Sequence, residues 1–98
     1  MAQWIYFLHP PREHFADTMT PQEESVFAEH FAHLQRLAEQ GVVILAGPTL
    51  GPVNTGLTIF KADDEASARA VMEGDPVIRQ GVVGGELREM LVPLLRGS

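Results

Sequence analysis

Apolar positions recur along this chain with two periods, and the changes between them mark six elements. Ala2 to His9 (AQWIYFLH) is an aromatic and β-branched run stopped by Pro10-Pro11, which predicts a strand. Alternation puts Trp4, Tyr6 and Leu8 on one face and Ile5 and Phe7 on the other. Both sets are apolar, so a strand covered on both sides is expected. Pro10 to Met19 reads as a loop suited to a lid or a pocket rim. The period then lengthens to that of a helix. At about 100° per residue, Phe27, Phe31, Leu34, Leu37 and Ala38 form one stripe, with His30 inside its flank and His33 nearer its edge. Thr20-Pro21-Gln22-Glu23 gives this helix a cap, a first-turn proline and a capping box, and Gly41 gives it a left-handed stop after about Gln40.

The second half repeats the alternation. Val42 to Ala46 predicts a second strand, Gly47 to Asn54 a turn-rich connection, and Gly56 to Lys61 a third strand. Asp63 or Asp64 caps a second helix through Ala66, Ala70, Val71 and Met72. Gly74-Asp75-Pro76 breaks it, Val77 to Gln80 suits a short helical turn, Glu86 to Leu95 predicts the last strand, and Arg96 to Ser98 is a short tail. The order is βαββαβ, the split βαβ or ferredoxin-like pattern. The fold expected is α+β: one domain over residues 1–98, a four-stranded antiparallel sheet with two helices on one face. The other face carries apolar side chains that need a cover. A homodimer with the two open sheet faces packed together is therefore expected.

Charge narrows the partners. The net charge of −6 speaks against nucleic acid and against anionic membranes, which both require a basic face. The absence of Cys excludes disulfides, a thiolate nucleophile and a Cys-based zinc site. The apolar run Trp4 to Leu8 is too short for a signal peptide, and no run reaches the roughly 18 residues of a membrane span. A soluble cytoplasmic protein is the expectation.

The candidate chemistry centres on two residues. His30 lies on the buried side of its helix, where an imidazole can move a proton near neutral pH; the plainer reading is a core histidine bonded to a backbone carbonyl. Asp75 can hold such an imidazole in one tautomer, or it can simply cap the turn begun by Pro76. Arg12 can pair with a substrate carboxylate or stand as a solvated loop cation. Phe15 suits a packing anchor for that loop better than a stacking platform. Gly47-Pro48 reads most simply as a strand-end turn near the pocket. Arg12, Phe15, Gly47 and Pro48 make up the candidate substrate-binding set, around a small-molecule site in the helix–sheet cleft. His30 and His33 share a His-X-X-His spacing, but only one of them points inward, so no metal site is expected. No phosphate-binding loop is present, since Gly81, Gly84 and Gly85 do not precede a helix.

Four pieces, in order, resemble the YCII-related family. They are the first strand running into Pro10-Pro11-Arg12 with Phe15 and Thr18-Met19-Thr20-Pro21, His30 eleven residues before Gly41, Gly47-Pro48, and Asp75-Pro76 ahead of Gly81. The resemblance spans residues 2–95 and implies the dimeric α/β-barrel version of the fold. It also implies a His–Asp dyad at His30 and Asp75. Relatives often carry an aromatic pair where this chain has His33-Leu34, and the connection Thr49 to Thr55 lacks an Asp-Pro. One branch resembles a dehydrochlorinase of aromatic-compound degradation. The reading that results is a cofactor-independent lyase or isomerase acting on a small oxygenated cyclic or aromatic compound. The alternative is a non-catalytic dimeric binding or accessory protein of the same fold, which a His30–Asp75 separation beyond hydrogen-bond reach would favour.

Overall fold

The computed structural model describes residues 2–96. Strand β1 (Ala2–His9) is followed by a 3-10 turn at Phe15–Asp17 and helix α1 (Pro21–Glu39), then β2 (Val43–Pro48) and β3 (Gly56–Ala62). Helix α2 (Glu65–Glu73), a one-turn helix α3 (Pro76–Arg79) and strand β4 (Gly84–Met90) complete it. The sheet order is β2-β3-β1-β4 with every neighbour antiparallel, the ferredoxin-like topology expected of the sequence.

Local signals set the helix boundaries. The Thr20 side chain accepts from the Glu23 N–H and the Glu23 side chain accepts from the Thr20 N–H, a complete capping box. Gly41 takes φ +77°, the left-handed stop. Of the two aspartates at the start of α2, Asp64 is the cap. The core lies between the helices and one sheet face, around Trp4, Tyr6, Phe60, Met72 and Val77. Tyr6 and Phe60 are both fully buried and meet edge to face.

Three expectations need correction. First, the buried side of α1 is centred on Val26, His30 and Leu34; Phe31 is 61% exposed and Ala38 is also exposed, so these two form a flank beside the core. Second, Gly47-Pro48 is not a turn: it ends β2, paired with Leu57 and Gly56. Pro48 is tolerated because β2 is an edge strand, and a bulge between Val43 and Leu45 already bends it. Third, the last strand spans Gly84–Met90 and not Glu86–Leu95. Met90 pairs with Gln3, near the start of β1, so Leu91 to Leu95 have almost no strand left to pair with. Gly85 enters the strand because a Cβ there would sit 2.6 Å from Cδ1 of Ile78, which fills that space. Of the short tail, Gly97 and Ser98 lie outside the described residues.

The other face of the sheet presents Ile5, Phe7, Leu57 and Ile59, in register on the two central strands. These side chains are only partly buried, since no helix of the chain covers them.

Candidate active site

The site is where α1, α3 and β1 meet. The chain break after α2 places Asp75 as the cap of α3, its Oδ1 accepting from the Val77 N–H at 3.2 Å. The same carboxylate is fully buried and faces the sheet and α1. His30 donates from Nδ1 to it, 2.7 Å from Oδ1 and 2.8 Å from Oδ2. The Tyr6 hydroxyl donates to Oδ2 at 2.6 Å. Capping the helix and holding the imidazole are thus not alternatives here; one side chain does both. An ionised carboxylate only accepts, so its partner nitrogen carries the proton and His30 is held as the Nδ1–H tautomer. Nε2 is the nitrogen left for other partners.

Burial works against the Asp75 charge, but the bonds from His30 and Tyr6, the attraction of the imidazole and the Val77 N–H outweigh it, so the carboxyl lies below its ordinary value. The Tyr6 hydroxyl is pushed far up, by burial first and then by the neighbouring Asp75 charge, which keeps it a donor at any physiological pH. Tyr6 is the residue that sequence reasoning missed. It read as one more core aromatic, on one face with Trp4 and Leu8; the available signal was that a buried phenol needs a partner.

His30 lines a cleft of about 490 Å³ between α1 and the β2–β3 edge of the sheet. Its ring meets Phe27 edge to face at 5.3 Å, and its side chain is 13% exposed. Gly47 and Pro48 line the same cleft through β2. Arg12 and Phe15 do not. Arg12 makes a two-pronged pair with Glu23 at 2.7 and 3.1 Å, donates to the Thr18 hydroxyl and carbonyl, and lies 5.0 Å above the Phe15 ring. It is a strut for its loop and not a free cation. The pairing is strong enough to bring the Glu23 carboxyl down to about 2, with the Arg12 bond as the leading cause. Phe15, 3% exposed, anchors the loop by packing on Phe27.

His33 lies one turn along α1 with Nε2 buried and without a partner, and burial lowers its pKa. Among the described residues, no group of three or more His, Asp or Glu side chains is placed to hold a metal ion. Nor is any helix among them long and apolar enough to cross a membrane.

The site thus stands on a ferredoxin-like α+β fold, a four-stranded antiparallel sheet with its helices on one face and a buried His–Asp pair beside the cleft. The chain belongs to the YCII-related domain family, whose profile matches residues 4–89. In structure it is similar to 5-chloro-2-hydroxyhydroquinone dehydrochlorinase (TftG) from Burkholderia phenoliruptrix AC1100, solved in complex with 2,5-dihydroxybenzoquinone. The TM-score is 0.68 at 20% identity, covering 93% of this chain and 94% of that one, a likeness of fold. Among curated proteins no sequence matches this chain.

Proposed function

We propose that this protein is a small cofactor-independent enzyme of the lyase or isomerase type, with His30 as its general acid and base. The observation that carries the reading is the 2.7 Å bond between His30 Nδ1 and a fully buried Asp75 carboxylate, at the wall of an open cleft. Nε2 takes a proton from a carbon or hydroxyl of the bound compound, and the imidazolium that forms is stabilised by Asp75. The proton is then returned to another atom of the same compound, which is an isomerisation, or leaves with an expelled group, which is an elimination. Asp75 positions His30, and Tyr6 positions Asp75.

The structural neighbour's name supports the substrate class: it removes hydrogen chloride from a chlorinated hydroxyhydroquinone and was solved with a dihydroxybenzoquinone. A small oxygenated ring is the corresponding class here. The hydrogen-bonded pair supports this reading over a non-catalytic binding module, which a separation beyond hydrogen-bond reach would have favoured. The partly covered row Ile5, Phe7, Leu57 and Ile59 supports assembly as a homodimer through the open sheet face.

The test is a screen of chlorinated hydroquinones and enol lactones, reading chloride release and ring absorbance. Turnover that falls at least about a hundredfold in His30→Gln, a loss typical of removing an acid–base group, supports the reading. Turnover unchanged in a folded His30→Gln protein refutes it.

A further inference from the structure

We infer that the cleft selects an uncharged substrate in two parts: an oxygen-bearing ring at His30 and an apolar extension reaching under the Pro10–Met19 loop. This rests on the reading of His30 as the acid–base group, and it adds what the compound around the reacting ring looks like.

Charge is the first argument. The polar side chains lining the cleft are His30, Gln35 and Thr58, and none of its described lining residues is Lys, Arg, Asp or Glu. A carboxylate or phosphate entering there would lose water and meet no counter-ion. The chain's net charge of −6 adds a long-range repulsion of anions. Arg12, the cation nearest in sequence to such a role, is spent on Glu23 and Thr18.

Shape is the second. A smaller cavity of about 140 Å³ adjoins the cleft and shares Leu8, Phe27, Pro48 and Gly56 with it. Its remaining walls include Phe15, Met19 and Val83. Asn54 is its one polar side chain among the described residues, and that amide is already committed: Oδ1 accepts from the Ala16 N–H and Nδ2 donates to the carbonyls of Thr49 and Gly51. The chamber therefore offers nothing to a polar group and suits an aryl or alkyl extension. Gly56 sits where the two spaces meet. A Cβ there would lie 3.1 Å from the Leu8 side chain, which packs over the glycine. The main cleft alone falls within the roughly 300–1,000 Å³ of pockets that hold drug-sized ligands, more than a single ring fills.

Three probes separate these features by calorimetric titration of the full chain: phenol, 4-phenylphenol and 4-phenylbenzoate. We expect 4-phenylphenol to bind at least about tenfold tighter than phenol, from the apolar area the second ring buries. The carboxylate should bind at least about tenfold more weakly than 4-phenylphenol. Val83→Phe fills the small chamber and should erase the gain of the second ring while phenol binding stays within about twofold. Ala16→Leu fills it from an exposed position, which guards against a misfolded Val83 variant. A second-ring gain that survives in both variants overturns the inference, as does a carboxylate that binds as well as the phenol, or an absence of binding by all three probes. His30→Gln tells the two readings apart. If turnover of a compound found in the screen is unchanged in it while the chamber variants act as expected, the two-part pocket stands and the acid–base role of His30 falls.

Discussion

Replacing Asp75 separates its duty to helix α3 from its duty to His30. The carboxylate accepts from the Tyr6 hydroxyl, the His30 ring and the Val77 N–H, and it is fully buried. Asp75→Ala removes every acceptor at once. The Tyr6 hydroxyl, in a residue with no exposure, loses its partner at a cost of about 1–3 kcal/mol, and the lost cap adds about 1 kcal/mol. The sum of about 2–4 kcal/mol is a large part of the stability of a small domain. Asp75→Asn behaves differently. It keeps one oxygen for Val77 but sets an amide donor opposite Tyr6 and His30. The Tyr6 hydroxyl can turn and accept. His30 Nδ1 faces both atoms of the amide: Oδ1 at 2.7 Å can still accept its proton, while an N–H in place of Oδ2 at 2.8 Å and the competition of Val77 for Oδ1 favour the other tautomer, with the ring proton on Nε2. We expect a stability loss near 1 kcal/mol in urea unfolding. We also expect a switch from Nδ1–H to Nε2–H in nitrogen–proton correlation spectra. Turnover should fall by about 10⁴, the loss seen when this substitution imposes the wrong tautomer in a catalytic triad. If Asn and Ala lose equal stability and the His30 ring keeps its Nδ1 proton in the Asn variant, Asp75 is a cap and nothing more.

Tyr6→Phe takes one donor from a charged acceptor and should cost about 1.5–3 kcal/mol in urea unfolding, with the carboxyl of Asp75 rising toward its ordinary value by carbon NMR titration; an unmoved carboxyl would show that the 2.6 Å contact carries no electrostatic weight. Because the folded Asp75 pKa lies below the unfolded value of about 3.9, its contribution to stability is complete above that pH and is lost as pH falls below it. The acid limb of the stability curve should therefore be shallower in Asp75→Asn, and parallel limbs in the two proteins would contradict the assignment. Arg12→Ala releases the pair with Glu23 and should speed protease cleavage between Pro10 and Met19, with equal cleavage rates counting against a strut. Ile59→Lys places a charge in the centre of the open sheet face and should shift the proposed dimer to monomer by sedimentation; an unchanged mass, or a wild-type protein that is already monomeric, would refute assembly through this face.

How much of this was legible in sequence depended on how local the cause was. The βαββαβ order could be read because Thr20, Glu23, Gly41 and Asp64 act within one turn of chain. The end of β4 could not, because it is set by β1: Leu91 to Leu95 look like a strand but follow Met90, whose strand partner Gln3 is already near the start of β1. Gly85 failed the other way. It was left outside the strand, yet it pairs with Leu8 within β4, with the tip of Ile78 packed where a Cβ would point. The stripe on α1 was displaced because it was drawn through Phe31 and Ala38 and left out Val26, and only packing shows that the first two face a cleft. For Asp75 the two readings were posed as rivals. A helix cap uses one lone pair of a carboxylate, and the others remain available to Tyr6 and His30.

That shared use bears on how the site holds its geometry. Asp75 is fixed by the backbone of α3 through its own cap bond, and from the sheet through Tyr6 on the central strand β1. His30 is thereby tied to two rigid elements at one atom group, the kind of support an acid–base pair needs to keep its alignment. The opposite wall has the reverse character. It is β2, an edge strand with a bulge, a terminal proline and mostly exposed residues, packed mainly against α1 among the helices. Local stability falls where few buried contacts hold an element, so any adjustment to a ligand should come from β2 and leave the dyad in place. On the proposed reading, proton chemistry lies on the stiff side of the cleft and shape selection on the yielding side. Substitutions at Leu45 or Ala46 should change which compounds bind before they change how His30 reacts.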